Sequence, residues 1–235
     1  MTDAPARRFY EKVSVAGTAA PFSVRLDERP LRTPLKHSLD LPTAALAGAV
    51  AAEWEAQAEK IDPRTMPLTR LANTAIDRVA PHRDRVIGEI VDFAGSDLVC
   101  YRAAEPLGLI ERQAKAWQPV LDWARAAFAG EFSVTEGIVH IKQPAPALQA
   151  TRSYLARKSP WELTALHNIT TLTGSALIAT MACDGAIPAS EAWAAAHVDE
   201  DWQIEHWGWD EEARHRRNHR KREFEVCLRF CELSH

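Results

Sequence analysis

No phosphate cradle is present: neither G-x-x-x-x-G-K-[ST] nor G-x-G-x-x-G occurs, which argues against the common routes to nucleotide hydrolysis and dinucleotide binding. The G-x-S-x-G nucleophile elbow is missing too, since "AGSD" and "TGSA" do not match it, and H-E-x-x-H is absent. The four cysteines, Cys100, Cys183, Cys227 and Cys231, follow no disulfide-scaffold or zinc-ribbon spacing, so reduced thiols are expected. "MTDAPARRFY" has no apolar signal-peptide core and is too short for a transit peptide. The expected compartment is the bacterial cytoplasm, or an organelle for a trimmed chain. A net charge of −4 gives no global pull toward nucleic acid or an anionic membrane. Charge is also lacking from Leu163 to Cys183, a run long enough to span a bilayer. Its threonines, with His167, Asn168 and Ser175, make a buried helix the expectation instead, and no membrane insertion.

What is present fits a folded domain of ordinary make-up: 235 residues, 46% hydrophobic and 26% charged. "RFYEKVSVA", "PFSVRLD" and "RPLRTP" are short β-branched and aromatic runs broken by Gly17, Pro21, Pro30 and Pro34. They predict a small antiparallel sheet. After Pro42 the pattern turns helical. Thr43 is placed to cap a helix carrying Ala47, Val50, Ala51, Trp54 and Ala58 at helical spacing. A second apolar stripe, Leu68 to Val79, is expected to end at Pro81, and a third helix to run from His82 to Ala94. "DLVCY" reads as a short extended piece, Leu107 to Phe128 as a helix, and "FSVTEGIVHI" as a hairpin. One long uncharged helix should follow "SPWE" and stop near Asp184, then helices from Ala189 to Trp207 and from Trp209 to Phe230. The expected fold class is α+β: a small N-terminal antiparallel β domain over residues 1–42, then a larger, mostly α-helical domain over 43–235.

Three chemical readings can be weighed. His215 and His219 are four residues apart, as are Cys227 and Cys231, but on one helix the pairs lie roughly 18 Å apart and cannot share a zinc ion. No metal site is expected. "RHRRNHRKR", Arg214 to Arg222, would suit a nucleic-acid backbone, yet Asp210, Glu211 and Glu212 precede it by four residues in the favoured acid-before-base order. A solvated, self-paired helix is the expectation, without nucleic acid. The third stretch, "DEDWQIEHWGWD" from Asp199 to Asp210, is too aromatic for a solvated face and too acidic for a core. At 100° per residue, Trp193, Ala196, His197, Glu200, Ile204 and Trp207 share one side of a helix, and Ala195, Val198, Trp202 and Trp209 the other. One stripe would then be surplus. Glu200, within an aromatic stripe, is either a structural carboxylate paired with an arginine or capping a loop, or a recognition group framed by apolar anchors. No second acid, base or nucleophile stands beside it, which argues against catalysis.

Six stretches, in order from about Tyr10 to Ala213, together resemble one family. They are "VRLDERPLRTP", "LPTAALAGAVAAEWEAQ", "MPLTRLANTAID", "DLVCYRA", "RQAKAWQPVLDW" and "VDEDWQIEHWGWDEEA". The family is that of the assembly chaperones of the F-type ATP synthase catalytic head which act on its alpha subunit, found in mitochondria and related bacteria. The resemblance implies a small β domain followed by a helical one, no catalysis and no cofactor. It also implies transient binding of the unassembled alpha subunit, shielding an apolar surface that later meets a beta subunit. The family's motif positions map onto Glu53, Trp54, Gln57, Asp77, Asp97, Tyr101, Arg102, Glu200, Gln203, Trp207 and Gly208. With Trp193 and Trp202 of the tryptophan stripes, all but Gly208 form the expected partner-binding set. Asp199 departs from the family's pattern, where the first acid is Glu. The protein is expected to act as a monomer, in the bacterial cytoplasm or, for eukaryotic relatives, the mitochondrial matrix. The competing readings are a metal-dependent enzyme using His206, His215 or Glu200, and a nucleic-acid-binding protein using the basic helix.

Overall fold

The computed structural model describes residues 6–137 and 139–235. The chain divides into two compact units. One comprises the residues up to Arg83 together with 160–164 and 229–235; the other comprises 84–159 and 165–228.

In the first unit, β1 (Val13–Ala16) pairs antiparallel with β2 (Phe22–Leu26), with Val13 opposite Leu26 and Ala16 opposite Ser23. Two further short strands, β3 (Arg29–Pro30) and β4 (Asp40–Leu41), also pair with β2. Along β2, Val24 and Leu26 are buried while Arg25 is not, the alternation of a sheet with one covered face. The cover is α1 (Ala44–Glu55), whose Leu46, Ala47 and Val50 are fully buried. Thr43 caps it as the sequence predicts: its hydroxyl oxygen accepts from the Leu46 amide at 3.0 Å.

After α2 (Pro67–Thr74), Pro81 does not end the helical path as expected. Residues 75–79 open into a π-turn, in which the Ala80 amide reaches back to the Ala75 carbonyl, and a single 3₁₀ turn over Ala80–His82 carries the proline. A wider turn accommodates a ring that would clash with the preceding turn of a regular α-helix.

The second unit is built on α3 (Arg83–Ala94), α4 (Leu107–Phe128), α5 (Ala145–Leu155), α6 (Pro160–Thr173), α7 (Ala176–Cys183), α8 (Ala189–Ala196), α9 (Val198–Trp207) and α10 (Glu211–Leu233), the ends of α3, α6 and α10 excepted. α4 is its axis and packs against α5, α7, α8 and α9. Gln113, Trp117, Val120, Leu121, Ala124 and Phe128 bury one face of α4 at helical spacing, and Pro119 lies on the exposed face without ending the helix. Every residue of α7 is buried, which explains its lack of charge.

Two expectations need correction here. The uncharged run is two helices, broken at Gly174, with Ser175 capping α7 through the Ile178 amide at 3.0 Å. "FSVTEGIVHI" is not a hairpin: β6 (Thr135–Glu136) pairs in parallel with β5 (Tyr101–Arg102) instead, and Ile138 lies outside the described residues. Otherwise the α+β expectation holds, a small antiparallel sheet followed by a mostly helical region. No helix among the described residues is long and apolar enough to cross a membrane.

Candidate interaction surface

The acidic, tryptophan-rich stretch is not the continuous helix the wheel assumed. α8 ends at Ala196 because His197 leaves helical geometry (φ −125°, ψ 23°). Its Nδ1 meets the Trp193 carbonyl at 2.8 Å, and its ring stacks on that indole at 3.8 Å. α9 restarts at Val198 with Asp199, Glu200 and Asp201 in its first turn, where the helix dipole favours negative charge. It stops at Gly208, whose φ of 81° and ψ of −179° suit only glycine; no neighbouring atom crowds the position. With breaks at both ends, the two stripes dissolve. Trp193 is 5% exposed and packs against His197 and Phe224.

α9 is fastened to α4 by its own acids. Asp199 accepts from the Gln113 side-chain amide at 2.7 Å, and Arg112 donates twice to Glu205, at 2.8 and 2.5 Å. Trp202 faces inward and lies so close over Gly108 that a Cβ there would stand 2.8 Å from its ring. The Arg112 guanidinium sits 5.0 Å from the Trp202 ring centre, and His206 stacks on that ring at 4.2 Å. What α9 leaves bare is Gln203 and Trp207, the latter 77% exposed; just past Gly208, Trp209 is 51% exposed with Arg217 5.6 Å from its ring.

Glu200 differs from its acidic neighbours. Asp201 takes the hydrogen bond of Arg217, whereas Glu200 Oε2 stands 3.9 Å from both Arg217 Nη1 and His197 Nε2, within ion-pair range of the arginine but beyond hydrogen-bond reach. Those two nitrogens are buried without a hydrogen-bond partner, and the Glu200 side chain is 36% exposed. Burial holds the His197 imidazole below its ordinary pKa, and the positive charge of Arg217 adds to this against the opposite pull of the Trp193 carbonyl and Glu200.

The remaining motif positions fall into separate places. At the end of α1, Glu53 accepts from the amides of Leu68 and Thr69, both at 2.8 Å, and from the Thr69 hydroxyl at 2.7 Å. It thereby supplies the cap that α2 lacks at Met66. Gln57 is buried, donates to the Glu53 carbonyl and the Thr65 hydroxyl, and accepts from the Asp62 amide. Trp54 lies edge-on to Tyr10 at 5.8 Å, and the Tyr10 hydroxyl donates to its carbonyl.

Asp77 is buried elsewhere in the first unit, bonded by the Thr33 hydroxyl, the Leu35 amide and His37 Nδ1. Burial alone would raise its pKa, but these bonds together hold it below the ordinary value. Asp97 is fully buried in the second unit; it caps its own 3₁₀ turn through the Val99 amide and the start of α7 through the Leu177 amide. Burial pushes its carboxyl up to about 6, against the pull of Ser175 and three backbone amides.

Tyr101 reaches His140 at 3.1 Å, and Arg102 donates to the Gln113 carbonyl while lying 5.1 Å from the Trp117 ring. The structure thus gathers Glu200, Gln203, Trp202 and Trp207 on α9, and Glu53, Trp54 and Gln57 at the end of α1. Gln113 was missed by sequence reasoning, although it links Arg102, Ala103 and Asp199. Its signal was a polar residue on the buried stripe of an otherwise amphipathic helix.

The alternative chemistries find little to work with. His215 and His219 are exposed, the cysteines are buried, and among the described residues no three His, Cys, Asp or Glu side chains are placed to hold a metal ion. The basic run is partly self-paired, Arg214 with Glu211 at 2.7 Å and Arg216 with Glu212 at 2.5 Å.

A sheet-bearing unit and a helical unit with a bare tryptophan at the end of a self-fastened helix describe an α+β protein with an exposed aromatic surface. A family profile described as "ATP12 chaperone protein" matches residues 7–125. The crystal structure of Atp12 from Paracoccus denitrificans is similar with a TM-score of 0.93 and 42% identity, covering 98% of this chain and 99% of that one. A protein from Agrobacterium tumefaciens matches with a TM-score of 0.90 and 44% identity, covering 96% of this chain and 85% of that one. The mitochondrial protein atp12 of Schizosaccharomyces pombe is 22% identical over 219 residues, 88% of this chain and 75% of the relative. The chain belongs to the ATP12 family, chaperones of ATP synthase assembly.

Proposed function

We propose that the protein binds the unassembled alpha subunit of the F-type ATP synthase and shields its apolar interface until a beta subunit covers it. It does so without ATP and without catalysis, in the bacterial cytoplasm where that head is put together. The observation that carries this reading is Trp207, 77% exposed at the end of a helix whose fastening to its own unit is complete without it. Asp199, Asp201 and Glu205 each have a hydrogen-bond partner inside the fold, while Glu200 makes only a long ion pair with Arg217, at 3.9 Å, and is 36% exposed, so its carboxylate and the bare indole can meet a client. Buried motif positions such as Asp97, Asp77 and Gln57, and the buried Trp193, serve by holding the elements in place. Apolar contact supplies affinity, charge steers the encounter, and release follows when the beta subunit competes by mass action.

The test is suppression of aggregation of purified alpha subunit, followed by light scattering. The wild type is expected to suppress it, and Glu200→Lys to lose this activity while its circular dichroism and melting temperature stay close to wild type. A folded Glu200→Lys protein that protects as well as wild type removes Glu200 from the client surface. Failure of the wild type to protect removes the proposed client.

A further inference from the structure

In the second unit, α4, α8 and α9 enclose an open groove of about 480 Å³. Its floor is apolar: Ala116 and Pro119 from α4, Ile187 just before α8, Ala194 from α8, and Ile204 from α9. Charged residues stand along the rim, and three of the five have an ion-pair partner. Arg112 is held by Glu205, and Asp201 by Arg217. Lys115 on α4 and Glu191 on α8 are exposed and have no ion-pair partner among the described residues.

The size lies within the range of small-molecule pockets, but the chemistry does not match one. Such sites aim a few polar groups inward to orient a ligand. Here the charged groups sit on the rim and three of the five are taken up by ion pairs, so the floor offers apolar contact alone. Ile204 on the groove floor and the bare Trp207 are three residues apart on α9 and therefore neighbours on its surface.

We propose that this groove receives an apolar segment of the client, one that carries an acid to meet Lys115 and a base to meet Glu191. Trp207 closes over the same segment from the end of α9. This rests on the reading of the protein as a holder of the alpha subunit and assigns that subunit's grip to a second, defined surface. Two unanswered charges of opposite sign on either side of an apolar floor also fix the direction in which the segment lies, because the reversed segment would set like charges together.

The experiment measures binding of purified alpha subunit by microscale thermophoresis at two salt concentrations. Ala194→Trp fills the groove from an exposed position, and is expected to weaken binding by about tenfold. Lys115→Glu and Glu191→Lys, both at exposed positions, are each expected to weaken it by roughly threefold and to reduce its salt dependence. The two reversals also keep the test decisive where Ala194→Trp does not fold. Unchanged affinity in both rim variants and in a folded Ala194→Trp protein overturns the groove, even while Trp207→Ala weakens binding and leaves the client reading standing. No binding by wild type overturns both. A wild type that dimerises in sedimentation, with Ala194→Trp monomeric, assigns the groove to a second copy of this chain and also overturns the proposal.

Discussion

Glu53 and Glu200 are both glutamates of the family's motifs, yet the two regions treat them in opposite ways. At the end of α1 both Glu53 oxygens are consumed: three donors from Leu68 and Thr69 converge on them. On α9, Glu200 touches nothing within hydrogen-bond reach, although two buried nitrogens stand 3.9 Å away. The contrast separates a carboxylate that braces the fold from one the fold does not require. It teaches that a motif can hold residues of both kinds, and that hydrogen-bond accounting tells them apart.

The comparison can be strained first at its most buried carboxylate. Folded Asp97 keeps its proton to about pH 6, against an ordinary value of 3.8. Between these values the folded state binds more protons, so stability falls as pH rises through that window and levels off above it. Against Asp97→Asn, which does not titrate, the wild type should lose about 2 kcal/mol between pH 4 and pH 7. Urea unfolding at both pH values measures this, and a flat difference would show that Asp97 is not a buried acid.

Next come Glu53→Ala and Trp207→Ala as an opposed pair. Removing Glu53 uncaps α2 and should lower stability by about 2 kcal/mol. Trp207→Ala should weaken client binding by about 2 kcal/mol while changing stability by less than about 0.5 kcal/mol. Should Glu53→Ala unfold at the same urea concentration as wild type, or Trp207→Ala melt early, the division into braces and bare surface fails.

The smallest effect is expected at Gly108→Ala. Its new methyl meets the Trp202 ring at 2.8 Å and must push α9 outward, at a cost of about 1 kcal/mol. Loss of the near-ultraviolet signal of a packed indole would report it, and an unaltered spectrum would place Trp202 elsewhere.

Much of the architecture was legible in the sequence. The sheet shows in short β-branched and aromatic runs broken by glycine and proline, and α1 in Thr43 followed by an apolar stripe. The breaks were harder to place. Pro81 was expected to end a helix, but a π-turn absorbs it, and a proline alone does not show whether its neighbours can widen. His197 ends α8 through a bond to the Trp193 carbonyl and a stacked ring, and histidine is not a stop signal.

The surface was legible as a composition and not as a direction. Trp202 and Trp207 belong to one short run, and only the closeness of Gly108, on another helix, turns the first inward. That Asp201 takes the hydrogen bond of Arg217 while Glu200 stands 3.9 Å from it depends on how α9 lies against α10, which the pattern of either helix leaves open.

The bare indoles at the end of α9 also make the protein its own optical sensor. Of eight tryptophans, only Trp207 and Trp209 stand exposed, while Trp117 is fully enclosed and donates to the Ala195 carbonyl. Water around the outer pair shifts their emission to the red and leaves them open to quenching by iodide. A client settling over them would turn that light blue and shield it, so capture and release can be followed in real time without a label.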